Sequence, residues 1–359
     1  MSRPARARID LQALRHNLRY ARSLAGSSQI LAVVKANAYG HGAVPIARAL
    51  EGEANALGVA CIEEALELRD SGIRAPILLM EGAFSPQEIP LADRNRLALV
   101  VHSPEQLAWV LEARPSQPLD CWIKVDTGMH RVGLDPSGLA GAYAALRRAP
   151  HVGGLVLMTH FARADEPDHP ATLRQMSRFA EASAGLEAPR SLANSAAILA
   201  WPDAHADWVR PGIMLYGSSP LGDQHPSAGQ LRPVMHLESA LIAVRDLPAG
   251  ESVGYGGRFV CHRPTRVGVV ALGYADGYPR HAPDGTPVAV RGNVTRVIGR
   301  VSMDMLTVDL TGLEGVAPGD RVQLWGDQVS ANAVAQASGT IAYQLFTGVG
   351  ARVGRVYLG

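Results

Sequence analysis

Short apolar runs recur along the first part of the chain, and a stretch with helical spacing follows most of them. The runs lie at residues 30–35, 56–60, 76–80, 97–101, 119–125, 153–160, 190–194 and 207–210. Between them, residues 62–72 repeat apolar positions at helical intervals, and residues 103–113 begin with the helix-start pair Ser103 and Pro104. Eight such alternations predict an α/β fold with an N-terminal (β/α)8 TIM-like barrel. A doubly wound sheet is the structural alternative, but no GxGxxG motif follows the first run.

The pattern changes after Pro233. Strand-like runs at 236–247, 266–274, 286–292, 295–301, 306–310 and 321–325 alternate with turn signals. The sequence therefore predicts a C-terminal mostly-β domain, with the boundary in the Gly- and Pro-containing stretch around 225–232. We expect a barrel domain over residues 1–230 and a β domain over residues 231–359.

Composition narrows the classes of partner. The 359 residues exceed one ordinary core of ~100–200 residues. The 34 Lys and Arg residues oppose 33 Asp and Glu residues, and a net charge of +1 gives no electrostatic case for a nucleic acid or an anionic membrane as partner. No run approaches the ~18 apolar residues of a membrane span, and the N-terminus lacks the apolar core of a signal peptide.

The three cysteines, Cys61, Cys121 and Cys261, are far apart and form no CxxC or Cys/His spacing. This pattern favours neither a disulfide framework nor a structural metal site, and it is typical of a protein in a reducing compartment. We therefore expect a cytoplasmic protein that works on a small molecule, without a metal.

Polar side chains follow the predicted barrel strands at the points where the strands end. They are Lys35, Lys124, Arg131, His160, Asn194, Ser195 and Arg210. Because the working residues of a barrel lie where its strands run into loops at one face, these side chains are candidates for a single site.

The first of these ends carries the most chemistry. Lys35 follows an apolar run and opens the sequence KANAYGHG (35–42). A lysine there is either a solvated surface charge or a desolvated amine that reacts with an aldehyde. Asn194, Ser195 and the turn at Gly212 and Ile213 form a candidate phosphate site, since barrels often bind phosphate after strands seven and eight. An ordinary Arg-Pro-Gly loop is the alternative.

Six segments together resemble one enzyme family, in the same order and along nearly the whole chain. They are KANAYGHG (35–42), WIKVDTGMHRVG (122–133), VRPGIMLYG (209–217), VGYGGRF (253–259), GYADGYPR (273–280) and GRVSMDMLTVDL (299–310). The family is that of the alanine racemases, enzymes that use pyridoxal 5'-phosphate (PLP). The resemblance implies a barrel followed by a β domain, and a homodimer with shared active sites that interconverts L- and D-alanine.

The resemblance also implies two bases. Lys35 matches the lysine that binds PLP covalently and acts as the base on the D face. Tyr255 matches the base on the L face, which the second subunit supplies. Racemisation needs bases on both faces of a planar carbanion, because a single base tends to return the proton to the face that it left.

Further roles follow from the same resemblance. Arg210 matches the arginine that faces the pyridine nitrogen, and a permanent cation there keeps that nitrogen unprotonated. Arg131 and Met303 match residues that bind the substrate carboxylate, Met303 through its backbone amide. The remaining cofactor-binding candidates are Tyr39, His160, Asn194, Ser195, Gly212, Ile213 and Tyr343. Lys124 matches a lysine that is carbamylated in some members; an unmodified lysine beside an anion is the alternative.

Other functions stay open. The sequence departs from the family pattern at three positions: many relatives have proline, cysteine and proline where this chain has Ala342, Thr347 and Gly354. Ser302 argues against the related decarboxylases, which use a cysteine at that position. A racemase of another small amino acid such as serine is one alternative, and a non-catalytic PLP carrier is another. The sequence does not decide between D-alanine supply for peptidoglycan and D-alanine breakdown.

Overall fold

A computed structural model describes residues 3–359. The strands, in chain order, are β1 (Arg6–Asp10), β2 (Gln29–Val33), β3 (Ala56–Val59), β4 (Ile77–Leu79), β5 (Leu97–Val101), β6 (Leu119–Lys124), β7 (Val152–Met158), β8 (Arg190–Asn194), β9 (Trp208–Arg210), β10 (Met235–Leu247), β11 (Ser252–Val253), β12 (Phe259–Val260), β13 (Thr265–Val270), β14 (Pro287–Val290), β15 (Asn293–Arg296), β16 (Leu306–Asp309), β17 (Arg321–Trp325) and β18 (Gly354–Leu358). The α-helices are Leu11–Ala25, Ala43–Leu50, Ile62–Asp70, Ile89–Arg94, Pro104–Glu112, Leu139–Arg148, Ala171–Ala182, Ser195–Ala200, Ala331–Ala337 and Ala342–Gly348.

Strands β2 to β9 form a closed parallel barrel. Each strand pairs with the next one, and β9 returns to β2 through Trp208 and Val209. Each of the eight predicted apolar runs overlaps one barrel strand, so the predicted barrel is confirmed. The helix predicted from Ser103 is also present: the Ser103 hydroxyl accepts a hydrogen bond from the amide of Gln106.

The barrel strands are built mainly from aliphatic residues that are buried. In β2 the residues from Ile30 to Val33 are all buried, and β3 is buried throughout. Parallel strands that are covered on both faces read as continuous apolar runs rather than as an alternation. Two of the candidate site residues end such strands, Lys124 in β6 and Arg210 in β9.

The second half of the chain, together with β1, builds a mostly-β structure. One sheet has the order β15-β14-β17-β10-β1-β18, and β13 joins it by pairing with both β10 and β16. Strands β11 and β12 form a separate hairpin. The predicted mostly-β fold is confirmed, but the apolar pattern did not predict β1, which pairs antiparallel with β10 and parallel with β18. The helices Ala331–Ala337 and Ala342–Gly348 were also not predicted.

Contacts between Cα atoms group the described residues into two units. The barrel unit contains Asn17–Ala38 and Ala43–Leu215; the β unit contains the residues up to His16, Tyr39–Gly42 and Tyr216–Gly359. This grouping differs from a single division at residue 230. The difference arises because β1 hydrogen-bonds into the second sheet and because residues 39–42 pack on segments near the end of the chain.

A buried carboxylate lies in the β unit. Glu238 on β10 is 1 % exposed, and Arg8 donates a hydrogen bond of 3.0 Å to its Oε1. Arg321 donates to the same oxygen, and the Arg6 guanidinium lies 3.6 Å from Oε2. These contacts link three neighbouring strands, β1, β10 and β17, through one charge.

The three cysteines carry free thiols. No helix among residues 3–359 is long and apolar enough to cross a membrane. Within the same residues, no group of three or more His, Cys, Asp and Glu side chains is arranged to hold a metal ion.

Candidate active site

Lys35 directly follows the first barrel strand, and an unusual backbone turn follows Lys35. The next four residues, Ala36 to Tyr39, all have φ between 52° and 54°. An L-amino acid in this left-handed region normally costs free energy, and a run of several such residues is rare. The turn therefore needs contacts from elsewhere in the structure to hold it.

Several hydrogen bonds fix this turn within the barrel unit. The Ala36 amide donates to Glu64 Oε1 at 2.7 Å, and the Ala43 amide donates to Asn37 Oδ1, also at 2.7 Å. The Ala38 amide returns to the Val34 carbonyl at 2.8 Å. Lys35 itself is partly exposed.

The glycines after the turn permit close packing in the β unit. A Cβ on Gly40 would lie 2.0 Å from the Phe346 carbonyl oxygen, and one on Gly42 would lie 2.0 Å from the Tyr357 hydroxyl. Both glycines also have positive φ values, of 77° and 102°. Only glycine fits these two positions of the KANAYGHG segment.

Lys124 ends β6 inside a cluster of positive charges. It is 7 % exposed, and burial lowers its pKa to about 8, assisted by the positive charge of Arg210. Arg131 and Lys35 lower the pKa of Lys124 further, whereas Asp126 opposes them. Because these charges affect one another, the structure brings together the four cations that the sequence placed at separate strand ends.

Asp126 shapes the loop that carries Arg131. Its Oδ1 accepts hydrogen bonds from the amides of Gly128, Met129 and His130, at 2.9, 2.9 and 3.1 Å. The carboxylate thus folds the chain after β6 into a tight turn, and Arg131 follows as an exposed side chain.

Arg210, at the end of β9, is held by a set of acceptors. Its Nη1 donates to the Ser191 hydroxyl at 2.7 Å, and its Nη2 donates to the carbonyls of Thr159 and Leu192 at 2.7 and 3.2 Å. The side chain is 2 % exposed, yet its Nε has no hydrogen-bond partner among residues 3–359. Burial lowers the pKa of Arg210 to about 10, so the guanidinium stays charged at neutral pH.

His160 follows β7 and lies beside the Arg210 guanidinium. Burial holds the pKa of His160 well below its usual range, and the positive charge of Arg210 adds to the effect. The imidazole is therefore neutral at neutral pH. Its Nδ1 lies 3.4 Å from Arg210 Nη2, so Nδ1 is the acceptor and Nε2 carries the proton.

The candidate phosphate loop of the barrel unit is also preorganised. Asn194 Oδ1 accepts from the Ala197 amide at 3.1 Å and caps the helix Ser195–Ala200. The Ser195 hydroxyl accepts from the Gly212 amide at 2.8 Å, which ties the end of β8 to the turn after β9. Ile213 then begins a short 3-10 helix.

Two further candidates lie together in the β unit. The rings of Tyr39 and Tyr343 are 5.9 Å apart, and Tyr39 stacks on Tyr216 at 4.8 Å. Burial raises the pKa of Tyr39 to about 12. Its phenol therefore stays protonated near neutral pH and remains a hydrogen-bond donor.

Tyr255 and Met303 are exposed parts of the β unit. Tyr255 lies between the hairpin strands β11 and β12, in a turn where Gly254 and Gly256 have φ values of 74° and 71°. Its side chain is 69 % exposed, and Met303 is 53 % exposed. The Ala275 amide donates to the Met303 carbonyl at 3.0 Å, so the GYADGYPR and GRVSMDM segments are joined.

Sequence reasoning missed the residues that hold these side chains in place. Glu64 and Ser191 act through backbone or buried partners, and neither belongs to a motif that stands out by composition. A different signal was available for the lysines. Lys35 and Lys124 are the two lysines of the chain, since the other 32 of its 34 basic residues are arginine.

Comparisons with known proteins identify the family. Residues 9–220 match the family profile "Alanine racemase, N-terminal domain", and residues 234–357 match "Alanine racemase, C-terminal domain". The chain is 56 % identical over 357 residues to the catabolic alanine racemase of Pseudomonas putida, covering 99 % of both chains. It is 55 % identical, again over 357 residues and 99 % of both chains, to the catabolic alanine racemase of Pseudomonas aeruginosa.

Comparison with solved structures leads to the same family. The crystal structure of the biosynthetic alanine racemase from Pseudomonas aeruginosa aligns with a TM-score of 0.96 at 50 % identity, covering 99 % of this chain and 100 % of that one. The alanine racemase from Acinetobacter baumannii aligns with a TM-score of 0.94 at 39 % identity, with the same coverage. The chain is thus similar along its whole length to relatives of both the biosynthetic and the catabolic kind.

Proposed function

Since the chain belongs to the alanine racemase family, a family of PLP-dependent isomerases, we propose that it interconverts L-alanine and D-alanine with PLP as cofactor. The observation that carries the proposal is the buried guanidinium of Arg210. Both Nη atoms of Arg210 donate to acceptors, whereas its Nε has no hydrogen-bond partner among residues 3–359. A buried donor without a partner is costly, so a bound acceptor is expected there.

The pyridine nitrogen of PLP is an acceptor that fits this donor. The charge on Arg210 disfavours a proton on that nitrogen, because two cations would then face each other. When bound, PLP withdraws electrons from the α-carbon of an amino acid and so makes its C–H acidic. The neutral His160 beside Arg210 adds no further positive charge to the site.

Two side chains move the α-proton in this proposal. The Lys35 amine takes or returns the proton on the D face, and the Tyr255 phenol of the partner subunit does so on the L face. Each one is the base in one direction and the acid in the other. Cations or hydrogen-bond donors beside the Tyr255 oxygen in the assembled site would favour its role as a base.

The remaining candidates divide by the group that they bind. Arg131, and the Met303 amide of the partner subunit, bind the carboxylate of the substrate. In this proposal the phosphate of PLP would be held by Tyr39, Ser195, Gly212, Ile213 and Tyr343, and Asn194 would shape the loop. Protonated tyrosines and backbone amides donate hydrogen bonds to a phosphate without adding another full charge to the site.

Lys124 is the candidate for carbamylation. An unmodified cation there repels Arg131, whereas a carbamate gives Arg131 an anionic acceptor. An unmodified lysine beside a bound anion is the alternative.

The working form is a homodimer. Tyr255 is 69 % exposed and Met303 is 53 % exposed in the single chain, which supports their burial against a second copy. We expect equal mixtures of Lys35→Ala and Tyr255→Phe chains to recover about one quarter of wild-type activity. Half of the dimers are then mixed, and each mixed dimer holds one complete site. Failure of mixing to restore any turnover, although mixed dimers form, would argue against shared sites.

The direct test asks which of the two lysines, Lys35 or Lys124, binds PLP. We expect the purified protein to absorb as PLP-bound enzymes do and to exchange the α-hydrogen of alanine with solvent. Borohydride reduction and peptide mapping should then place the cofactor on Lys35, with Lys124 as the internal comparison. PLP trapped on Lys124, or retained in full by Lys35→Ala, would refute the assignment of Lys35.

Measurements of α-hydrogen exchange, made with alanine and with a panel of amino acids, distinguish two alternative functions. A non-catalytic PLP carrier would bind the cofactor but leave the α-hydrogen in place, and it has no use for a base such as Tyr255. A racemase of serine or another small amino acid would favour that substrate over alanine in a panel. On the sequence evidence we place the enzyme in the cytoplasm. There it supplies D-alanine for peptidoglycan or begins the breakdown of D-alanine.

A further inference from the structure

Glu64 links the end of one barrel strand to the backbone beside Lys35. It lies in the first turn of the helix Ile62–Asp70, just after β3. Its Oε1 accepts from the Ala36 amide at 2.7 Å, and its Oε2 accepts from the Ala60 amide at 2.7 Å. Both carboxylate oxygens are therefore bound to backbone amides, one of them in the residue next to Lys35.

The backbone that donates this hydrogen bond to Glu64 is strained. Ala36 is the first of four consecutive non-glycine residues with positive φ, from 52° to 54°. Such a turn persists only where its surroundings over-determine it. Because the Ala36 amide opens the turn, a contact at that amide fixes the direction in which the chain leaves Lys35.

We propose that Glu64 is a positioning residue for Lys35, which rests on the role of Lys35 proposed above. The carboxylate holds the left-handed turn at its first amide and so sets where the Lys35 amine points. Glu64 is not itself a base, since both of its oxygens already accept hydrogen bonds from amides. A charged acceptor suits this task because its hydrogen bonds are stronger than those of a neutral one.

A merely structural interpretation makes a different prediction. An acidic residue in the first turn of a helix stabilises that helix wherever its oxygens point. Glu63 offers a matched control, because it lies in the same first turn and is exposed. Loss of Glu63 removes the interaction with the helix start but leaves the Ala36 amide bound.

The test compares Glu64→Ala, Glu64→Gln and Glu63→Ala as holoenzymes. We expect Glu64→Ala to lower kcat by about ten- to hundredfold, the effect of losing a charged hydrogen bond. We also expect it to change the pH profile of the cofactor absorption band. Glu64→Gln, which keeps one acceptor oxygen, should fall between Glu64→Ala and the wild type, and Glu63→Ala should match the wild type.

A resonance signature separates positioning from stability. Because the chain has two lysines, side-chain nitrogen-15 labelling of lysine reports on Lys35 and Lys124 alone. The Lys35 signal should move in Glu64→Ala and Glu64→Gln while the Lys124 signal stays. Unchanged spectra and kcat in both Glu64 variants, or a loss of folded enzyme whose remaining fraction is fully active, would overturn the proposal. If Glu64→Ala does not fold, the lysine spectrum and the kcat of Glu64→Gln test the proposal instead.

These outcomes are distinct from a failure of the proposed function. A wild-type protein without PLP binding or α-hydrogen exchange would refute the function whatever Glu64 does. A wild type that racemises alanine, together with Glu64 variants that behave like Glu63→Ala, would refute the positioning role alone.

Discussion

The low pKa of Lys124 leads to a quantitative prediction about carbon dioxide. Carbon dioxide reacts with a neutral amine and not with an ammonium group. The pKa of about 8, against an ordinary 10.5, follows from burial and from the charge of Arg210. At pH 7 about one tenth of the Lys124 amine is then neutral, roughly three-hundred-fold more than for an ordinary lysine. We therefore expect Lys124 to react with carbon dioxide more readily than an ordinary lysine does.

The same shift predicts how stability depends on pH. The pKa of Lys124 is lower in the folded than in the unfolded chain, so the unfolded chain binds more protons between about pH 8 and 10.5. The cost of the buried charge is fully present below pH 8 and is relieved as the pH rises through 10.5; it amounts to about 3 kcal/mol. Carbamylation removes the positive charge and therefore this cost.

The assay is carbon-13 NMR of the enzyme in labelled bicarbonate. We expect one carbamate signal in the wild type and none in Lys124→Met, together with a matching mass increase. Depletion of carbon dioxide should lower activity more at pH 8 than at pH 6, because the carbamate forms from the neutral amine and its fraction is larger at the higher pH. A wild-type spectrum identical to that of Lys124→Met would refute the reasoning.

Three further predictions concern single contacts. Ser191→Ala removes the acceptor of Arg210 Nη1 and should weaken PLP binding about tenfold in a cofactor titration. Ser239→Ala removes another buried hydroxyl and should leave PLP binding unchanged. Gly40→Ala should destabilise the protein by about 2–4 kcal/mol in thermal unfolding, whereas Gly26→Ala, with positive φ but open space, should cost about 1 kcal/mol. Glu238→Gln should cost about 1–3 kcal/mol in denaturant unfolding, since its arginine partners are partly exposed. These predictions would be wrong if Ser191→Ala and Ser239→Ala weakened PLP binding equally, or if Gly40→Ala and Gly26→Ala lost equal stability. An unchanged denaturation midpoint for Glu238→Gln would contradict the third.

The barrel could be predicted from the sequence because each of its strands is a separate apolar run between helical stretches. The cations at the strand ends could be predicted for the same reason, since a parallel barrel brings those ends to one face. Strand β1 could not be predicted, because its sequence RARID alternates only briefly and its partners lie more than two hundred residues away.

The left-handed turn after Lys35 is the clearest limit of local reasoning. Ala36, Asn37, Ala38 and Tyr39 give no local preference for positive φ apart from the asparagine. Hydrogen bonds to residues outside the turn, such as the one from the Ala36 amide to Glu64, accompany this conformation. Residues such as Glu64 and Ser191 become visible only once distant segments are seen together.

The pairing of β1 with β10 and β18 has a consequence during protein synthesis. The partners of β1 begin at Met235 and Gly354, and the whole barrel is encoded between β1 and the first of them. At about 5–20 residues per second, a ribosome needs on the order of tens of seconds to make that interval. Over this time the barrel strands emerge in the order in which they pair, while β1 remains an unpaired edge. A chaperone that shields nascent edges should therefore bind the first residues of this chain until β10 has left the ribosome.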